Sequence, residues 1–332
     1  MLSILGLVFV GVIFLWLVRN LVSEPSDFFN VALIGLTTGA VYALVALGYT
    51  LVYGILQLIN FAHGDVVALM GLVASSVIID WLGLVKGDAA LVIAGGLIFA
   101  MIIVIVAGAT MNTLIEFLAY RRVRSQSRLT MLISAVGMSF IVQNISLYFY
   151  NVDFQPSPTA LPDRAAFTIG NVSYSWQKLL IVLITIPVLV GLTYLVTSTR
   201  QGKAMRATAQ DQDAAAMMGI NVNRTISFTF ALAGGLAGAG GLLFLLQFNM
   251  RFDSGFQIGL FAFTAAVLGG IGNLTGAVLG ALLIGFIQAF NEGLTIWAPG
   301  SDWTRSIIFA ILIAILVFRP EGLLGERTPE GG

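Results

Sequence analysis

Cysteine is absent from this 332-residue chain, which removes disulfides, thiolate metal sites and cysteine nucleophiles from any mechanism. Histidine occurs once, at His63, with no second His or Cys to complete a metal set. Charge is scarce: Asp, Glu, Lys and Arg make up 10% of the residues, sixteen acidic against sixteen basic, so no charge excess points to a nucleic-acid partner. No Walker phosphate loop, H-E-x-x-H or G-x-S-x-G motif is present. The chain is therefore expected to be no enzyme, with no catalytic residue, metal or cofactor and no energy source of its own.

What is there is apolar. With 58% hydrophobic residues the composition is that of an integral membrane protein surrounded by lipid. A spanning helix needs about 20 apolar residues, and candidate runs fall at 2–22, 28–53, 61–80, 89–118, 130–150, 178–199, 225–247, 256–271, 274–292 and 304–318. The first, Leu2 to Val18, lacks a basic leading region and a small-residue cleavage site, so it reads as a retained span. The stretch from Phe256 to Asn291 is too long for one crossing, and Gly269-Gly-Ile-Gly-Asn-Leu-Thr-Gly276 breaks it. Glycines and polar groups between Gly54 and Gly64 likewise predict a re-entrant or unwound segment. The fold class expected is an all-α polytopic membrane protein of about ten transmembrane helices with broken or re-entrant segments.

Basic residues orient the chain. Arg121, Arg122, Arg124 and Arg128 share one loop, Arg200, Lys203, Arg206 and Arg224 another, and Arg319 and Arg327 lie in the tail 319–332; all belong on the cytoplasmic side. The alternating loops carry Glu24, Asp27, Asp80, Asp88, Asp153, Asp163, Asp253 and Asp302 and belong outside, which puts both termini in the cytoplasm if ten spans form. The outer loop 151–177 contains Pro156, Pro158 and Pro162, which exclude a continuous helix in its first half. It is either a packed cap or part of a surface for an extracytoplasmic partner.

Polar groups at membrane depth are costly and mark either a pathway or a buried pair. Asn60, His63 and Asp65 are one such group; they either line a substrate path or satisfy backbone groups freed at a helix break. Gln143 and Asn144 either line a polar path or hydrogen-bond between helices, the commoner use of amides in lipid. Glu116 reads as a structural ion partner at the cytoplasmic interface. Gly35-x3-Gly39, Gly234-x3-Gly238 and Gly276-x3-Gly280 place small residues on single helix faces for close packing.

The most extended polar segment is Arg200–Arg224. Lys203 to Met218 holds good helix formers without Pro or Gly, and Gly219 follows where a helix stops. This predicts a short helix in water, better suited to docking than to linking. Asp213-Ala214-Ala215-Ala216 followed by Gly219 resembles the Glu-Ala-Ala-x-x-x-Gly loop by which permeases of bacterial ABC importers meet their ATPases.

Other stretches carry a wider resemblance. Gly35-Leu-Thr-Thr-Gly-Ala-Val-Tyr-Ala-Leu-Val-Ala-Leu-Gly-Tyr-Thr-Leu-Val-Tyr-Gly54, Leu58-Ile-Asn-Phe-Ala-His-Gly-Asp65, Leu118-Ala-Tyr-Arg121, Leu132-Ile-Ser-Ala-Val-Gly137, Ala266-Val-Leu-Gly-Gly-Ile-Gly-Asn273 and Arg319-Pro-Glu-Gly-Leu-Leu324 are similar to the permeases of branched-chain amino acid ABC importers, in particular the LivH-like subunit. Asp213 replaces the usual Glu, and Arg122 stands where Pro often follows the Tyr-Arg pair. The resemblance implies one transmembrane permease domain over 1–332, in a bacterial inner membrane, with a cytoplasmic coupling helix in 200–224. It also implies a second related permease, two ATP-binding subunits and an extracytoplasmic amino-acid-binding protein. ATPase docking then falls on Arg206, Asp211, Asp213, Ala214, Ala215 and Gly219. A urea or short-amide permease shares the architecture and is the alternative; a secondary transporter needing no ATPase is the rival, and a membrane enzyme the third reading.

Overall fold

The computed structural model describes residues 2–124, 126–158, 161, 164–319 and 321–325, with the side chains of 2–10 and Arg128 outside the description. Asp163 and Arg327, which enter the assignment of sides, and Pro162 of the outer loop lie outside the described residues.

The chain is a helical bundle: α1 (Leu2–Ser23), α2 (Pro25–Leu56), α3 (Ala62–Ser75), α4 (Ala90–Ile115), α5 (Arg128–Tyr150), α6 (Trp176–Ser198), α7 (Arg200–Gln210), α8 (Gln212–Met217), α9 (Val222–Gln247), α10 (Ser254–Gly269), α11 (Leu274–Gly293) and α12 (Ser301–Phe318). Wide π-helical turns extend α3 through Ser76–Trp81 and α4 through Glu116–Tyr120. Among the described residues, eight helices are long and apolar enough to cross a membrane; Gly11–Ser23 and Ser254–Gly269 are shorter. The protein is thus an all-α multi-pass membrane protein, and the ten expected runs are all helices.

Its breaks fall at the expected glycines. Gly270 and Gly272 adopt φ of 107° and 95° between α10 and α11, a left-handed geometry that glycine enters without a Cβ penalty. Gln57 ends α2 with φ 52°, and the chain crosses 57–61 before α3 begins.

The loops gather at two ends, as the charge pattern predicts. At the basic end, Arg121 meets Glu116 and Ser227, Arg124 bonds Asn223, and Leu323 and Leu324 donate to the carbonyls of Leu268 and Gly269. At the other end, Gln155 pairs with Met250, and Trp16 and Asn20 reach the Ile296 carbonyl. There the loop 151–177 folds into a hairpin, β1 (Ala165–Ile169) antiparallel to β2 (Val172–Ser175), a feature the helical reading did not contain. Asn30 of α2 bonds the backbone of Asn171 and Ser173, and buried Tyr174 bonds Thr37 at 2.6 Å. Burial raises the Tyr174 pKa, so this phenol stays neutral at any ordinary pH.

Small residues set the helix contacts. A Cβ at Gly234 or Gly238 would strike the carbonyls of Gly108 or Val104 on α4; at Gly35 or Gly39 it would meet α11, and at Gly276 or Gly280 it would meet α10. All three small-x3-small faces are therefore used in packing. With almost no hydrophobic difference between lipid and a helix surface, such close backbone approach supplies the dispersion that holds spans together.

Candidate functional site

Two places in the bundle are built differently from its packed core: a cavity and the polar element at the basic end.

Within the break 57–61, Gln57 and Phe61 are exposed, whereas Leu58 and Asn60 are buried, Asn60 at 1% exposed. Its carbonyl oxygen accepts from the Tyr120 hydroxyl at 2.9 Å, and its amide donates to Asn112 Oδ1 at 3.3 Å. Asn112 in turn donates to the Phe230 carbonyl at 2.9 Å, so the break is pinned to α4 and α9. The wide turn at Glu116–Tyr120 precedes Arg121, whose guanidinium pairs with the buried Glu116 at 2.8 Å. Glu116 also accepts from Ser227 of α9 at 2.8 Å.

His63 is fully buried, edge-on to Tyr49 with ring centroids 4.8 Å apart, in a space left by Gly48. The ring faces the Val45 carbonyl, but neither nitrogen makes a hydrogen bond of ordinary geometry. The level of this ring is that of Gly48 and Ala233, near the middle of α9.

Gly64 lies against Gly255 and Gly259, so the first turn of α10 starts at this same depth. The chain dips from the end of α9 through Met250, which fills the space beside Gly71, before α10 begins. That descent explains why α10 has only 16 residues. It also opens a cavity of about 690 Å³, within the size range of small-molecule sites. The walls are apolar, from Phe61, Val136, Phe140, Phe256, Leu260 and Phe263; Asp65, Ser139, Gln143 and Gln257 interrupt them. Phe154, Arg251, Asp253 and Arg305 come from the non-basic end. The Arg251 guanidinium is held charged by its hydrogen bonds to Asp253, which raise its pKa further. Tyr49, Ile59 and Phe263 are shared with a second void of about 10 Å³ that continues toward Ile271, large enough for about one water.

The five expected path residues separate. Asp65 and Gln143 line the cavity; Asn60 and His63 stand behind its wall, and Asn144 is exposed on α5, where its amide bonds the Phe140 carbonyl of its own helix. Sequence reasoning missed Tyr49, Arg251 and Arg305. The spacing Gly255-x3-Gly259 carried a signal for the α3–α10 contact.

At the basic end the expected single helix over 203–218 is two. Asp211 is extended, with φ −156° and ψ 114°, and its carboxylate caps α8 by accepting from the backbone of Asp213 and Ala214 at 2.9 Å each. Gly219 follows α8 with φ 83°, as a helix stop requires. Gly202 lets the chain turn tightly from α6 into α7, and Arg206 donates to the Val196 carbonyl, capping α6. Asp211, Asp213 and Gly219 are exposed, Ala214 is half-buried and Ala215 is buried. Met217 and Met218, each 83% exposed, stand side by side on a polar element.

These two sites sit on the fold of a known transport family. Residues 31–316 match the family described as branched-chain amino acid transport system / permease component. The high-affinity branched-chain amino acid transport system permease protein BraD of Pseudomonas aeruginosa is 39% identical over 300 residues, covering 89% of this chain and 95% of that protein. LivH of Escherichia coli K12, described in the same terms, is 36% identical over 306 residues with the same coverage. The ribose import permease protein RbsC of Escherichia coli K12 is similar at 27% identity over 84% of this chain and 82% of its own. The protein belongs to the branched-chain amino acid transport permease family.

Proposed function

We propose that this chain is a permease subunit of an ATP-driven importer in a bacterial inner membrane, forming the path for branched-chain, apolar amino acids together with a second related permease. Two ATP-binding subunits and an extracytoplasmic amino-acid-binding protein complete the assembly. The basic end is the cytoplasmic one, and the hairpin end faces the binding protein. Permeases named for branched-chain amino acids at 36% and 39% identity support the substrate class, and apolar cavity walls suit such side chains.

The observation that carries the reading is the element Arg200–Gly219. A capped, two-part helical element at the basic end presents adjacent exposed methionines, and flexible thioethers outside a membrane mark a protein contact. Motion then follows from linkage: ATP switches the path between outward and inward openings only by binding the two states differently.

The test is ATP-driven leucine import by the assembled transporter in proteoliposomes, with Met217→Glu and Met218→Glu introduced together. The double variant is expected to remain in the membrane, release the ATPase in a pull-down and lose import. Ala215→Arg is a poorer test, because Ala215 is buried and the change would disturb the element itself. Uphill transport by this chain alone without nucleotide, or labelling of Met217 replaced by Cys only from outside, would overturn the reading.

A further inference from the structure

We propose that the cavity contains a subsite for a zwitterionic amino acid, whose ammonium group is accepted by Asp65 Oδ1. This deepens the transport reading and rests on it.

Four charged side chains line the cavity: Asp65, Arg251, Asp253 and Arg305. Arg251 and Asp253 neutralise each other through two hydrogen bonds, Nε to Oδ1 at 2.6 Å and Nη2 to Oδ2 at 2.5 Å. Arg305 has no ionic partner among the described residues. Asp65 is 2% exposed; its Oδ2 accepts from the Ser139 hydroxyl, while Oδ1 is buried with no donor. Arg305 is exposed at the non-basic end, so the charge left buried and unanswered in the cavity is the Asp65 carboxylate, the complement of a ligand's cationic group.

The competing account makes Asp65 a structural anchor. Gly255, in the first turn of α10, stands so close that a Cβ there would lie 2.8 Å from Asp65 Oδ1, and a helix N-terminus favours a nearby carboxylate. That account leaves Oδ1 without a hydrogen bond, because the backbone of α10 supplies none to it. An unpaired carboxylate oxygen at membrane depth is expensive. An ammonium group carries three donors and a positive charge, and meets both needs at once. Phe140, Leu260 and Phe263 then surround the aliphatic side chain. A sugar offers hydroxyls but no cation, so the same site disfavours it.

The cysteine-free sequence makes Gln143→Cys a single reporter on this chain in the assembled transporter. Its modification by a small thiol reagent is followed by mass spectrometry of this subunit. Leucine is expected to slow labelling, whereas 4-methylpentanoate, the same skeleton without the ammonium, should need a concentration at least about tenfold higher, the loss of one charge-assisted hydrogen bond. Asp65→Asn should abolish leucine protection and Ser139→Ala should retain it. Equal protection by leucine and 4-methylpentanoate, no protection by either, or full protection in Asp65→Asn would overturn the subsite. The analogue comparison leaves Asp65 unaltered, so it decides the matter even where Asp65→Asn fails to assemble. ATP-driven leucine import by the same Gln143→Cys assembly separates the two levels: import without ammonium-selective protection defeats the subsite alone, and absence of import from the unmodified transporter defeats the transport reading.

Discussion

Helices α4 and α9 lie against each other along Gly108, Gly234 and Gly238, yet their surroundings are opposite: most of the apolar stretch of α9 is buried inside the chain, whereas most of that of α4 is not. The less buried helix is the more hydropathic. Along α9 run Gly234, Gly235, Gly238, Gly240 and Gly241, while α4 presents Leu91, Ile98, Phe99 and Ile102 outward. In water the ranking would be reversed, because burial there follows apolarity. Here the outer medium is itself apolar, so large aliphatic groups face out and the interior is reserved for residues small enough to let backbones touch. The interior also holds polar groups, Asn60, Asn112 and Glu116 among them, each hydrogen-bonded to a neighbouring helix or side chain.

That contrast is open to direct attack. The largest effect is expected from Gly234→Leu, which forces a side chain into the α4 backbone at Gly108; overpacking here should cost about 3 kcal/mol or more and leave little folded protein. Gly137→Leu on exposed α5, where an added Cβ meets nothing within 4 Å, should change stability by less than about 0.5 kcal/mol. Thermal unfolding in detergent measures both, and equal losses would break the comparison. Next comes the buried pair at the basic end. Glu116→Gln should lower stability by about 2–3 kcal/mol, less than breaking a fully buried pair because Arg121 is 33% exposed; a fall confined to low salt would show the pair to be a surface one.

Asn60→Ala should cost about 1–3 kcal/mol by stranding Tyr120 and Asn112. Because Asn60 lies behind the cavity wall, the KM for import should hold while the unfolding temperature falls. A changed KM with unchanged stability would return Asn60 to the path. The smallest effect belongs to Tyr174→Phe, which removes the 2.6 Å bond to Thr37 and should cost about 1 kcal/mol. Proteolysis of the hairpin is the sensitive measure, since loss of this tie loosens that end before the bundle.

The spans, the break after Gly269, the unwinding after Gly54 and the small-residue faces were all legible, because each depends on local composition or on spacing within one helix. The candidate site was legible only as a neighbourhood. Asn60, His63 and Asp65 were grouped by their closeness in sequence, yet only Asp65 lines the cavity, since the chain at 57–61 is not helical and Asn60 turns away to Tyr120 and Asn112. Gln143 and Asn144 are neighbours on α5 pointing different ways; helical geometry separates them by about 100°, and nothing in the sequence says which side faces the cavity. The docking helix was expected as one piece because Asp211 is a tolerable helix residue. As a carboxylate it is a better cap, and capping is what it does.

From its residues alone the chain was committed to lipid, to about ten helical crossings, to the ends that carry its basic loops and to the family whose motifs it bears. Such properties follow from hydropathy, length and charge, which add up along the chain. Where α10 begins, and so whether a cavity exists, which carboxylate lines it and which asparagine seals its back, were decided by the packing of Gly64 against Gly255 and Gly259. That contact joins residues almost two hundred positions apart, and only a folded backbone brings them within reach.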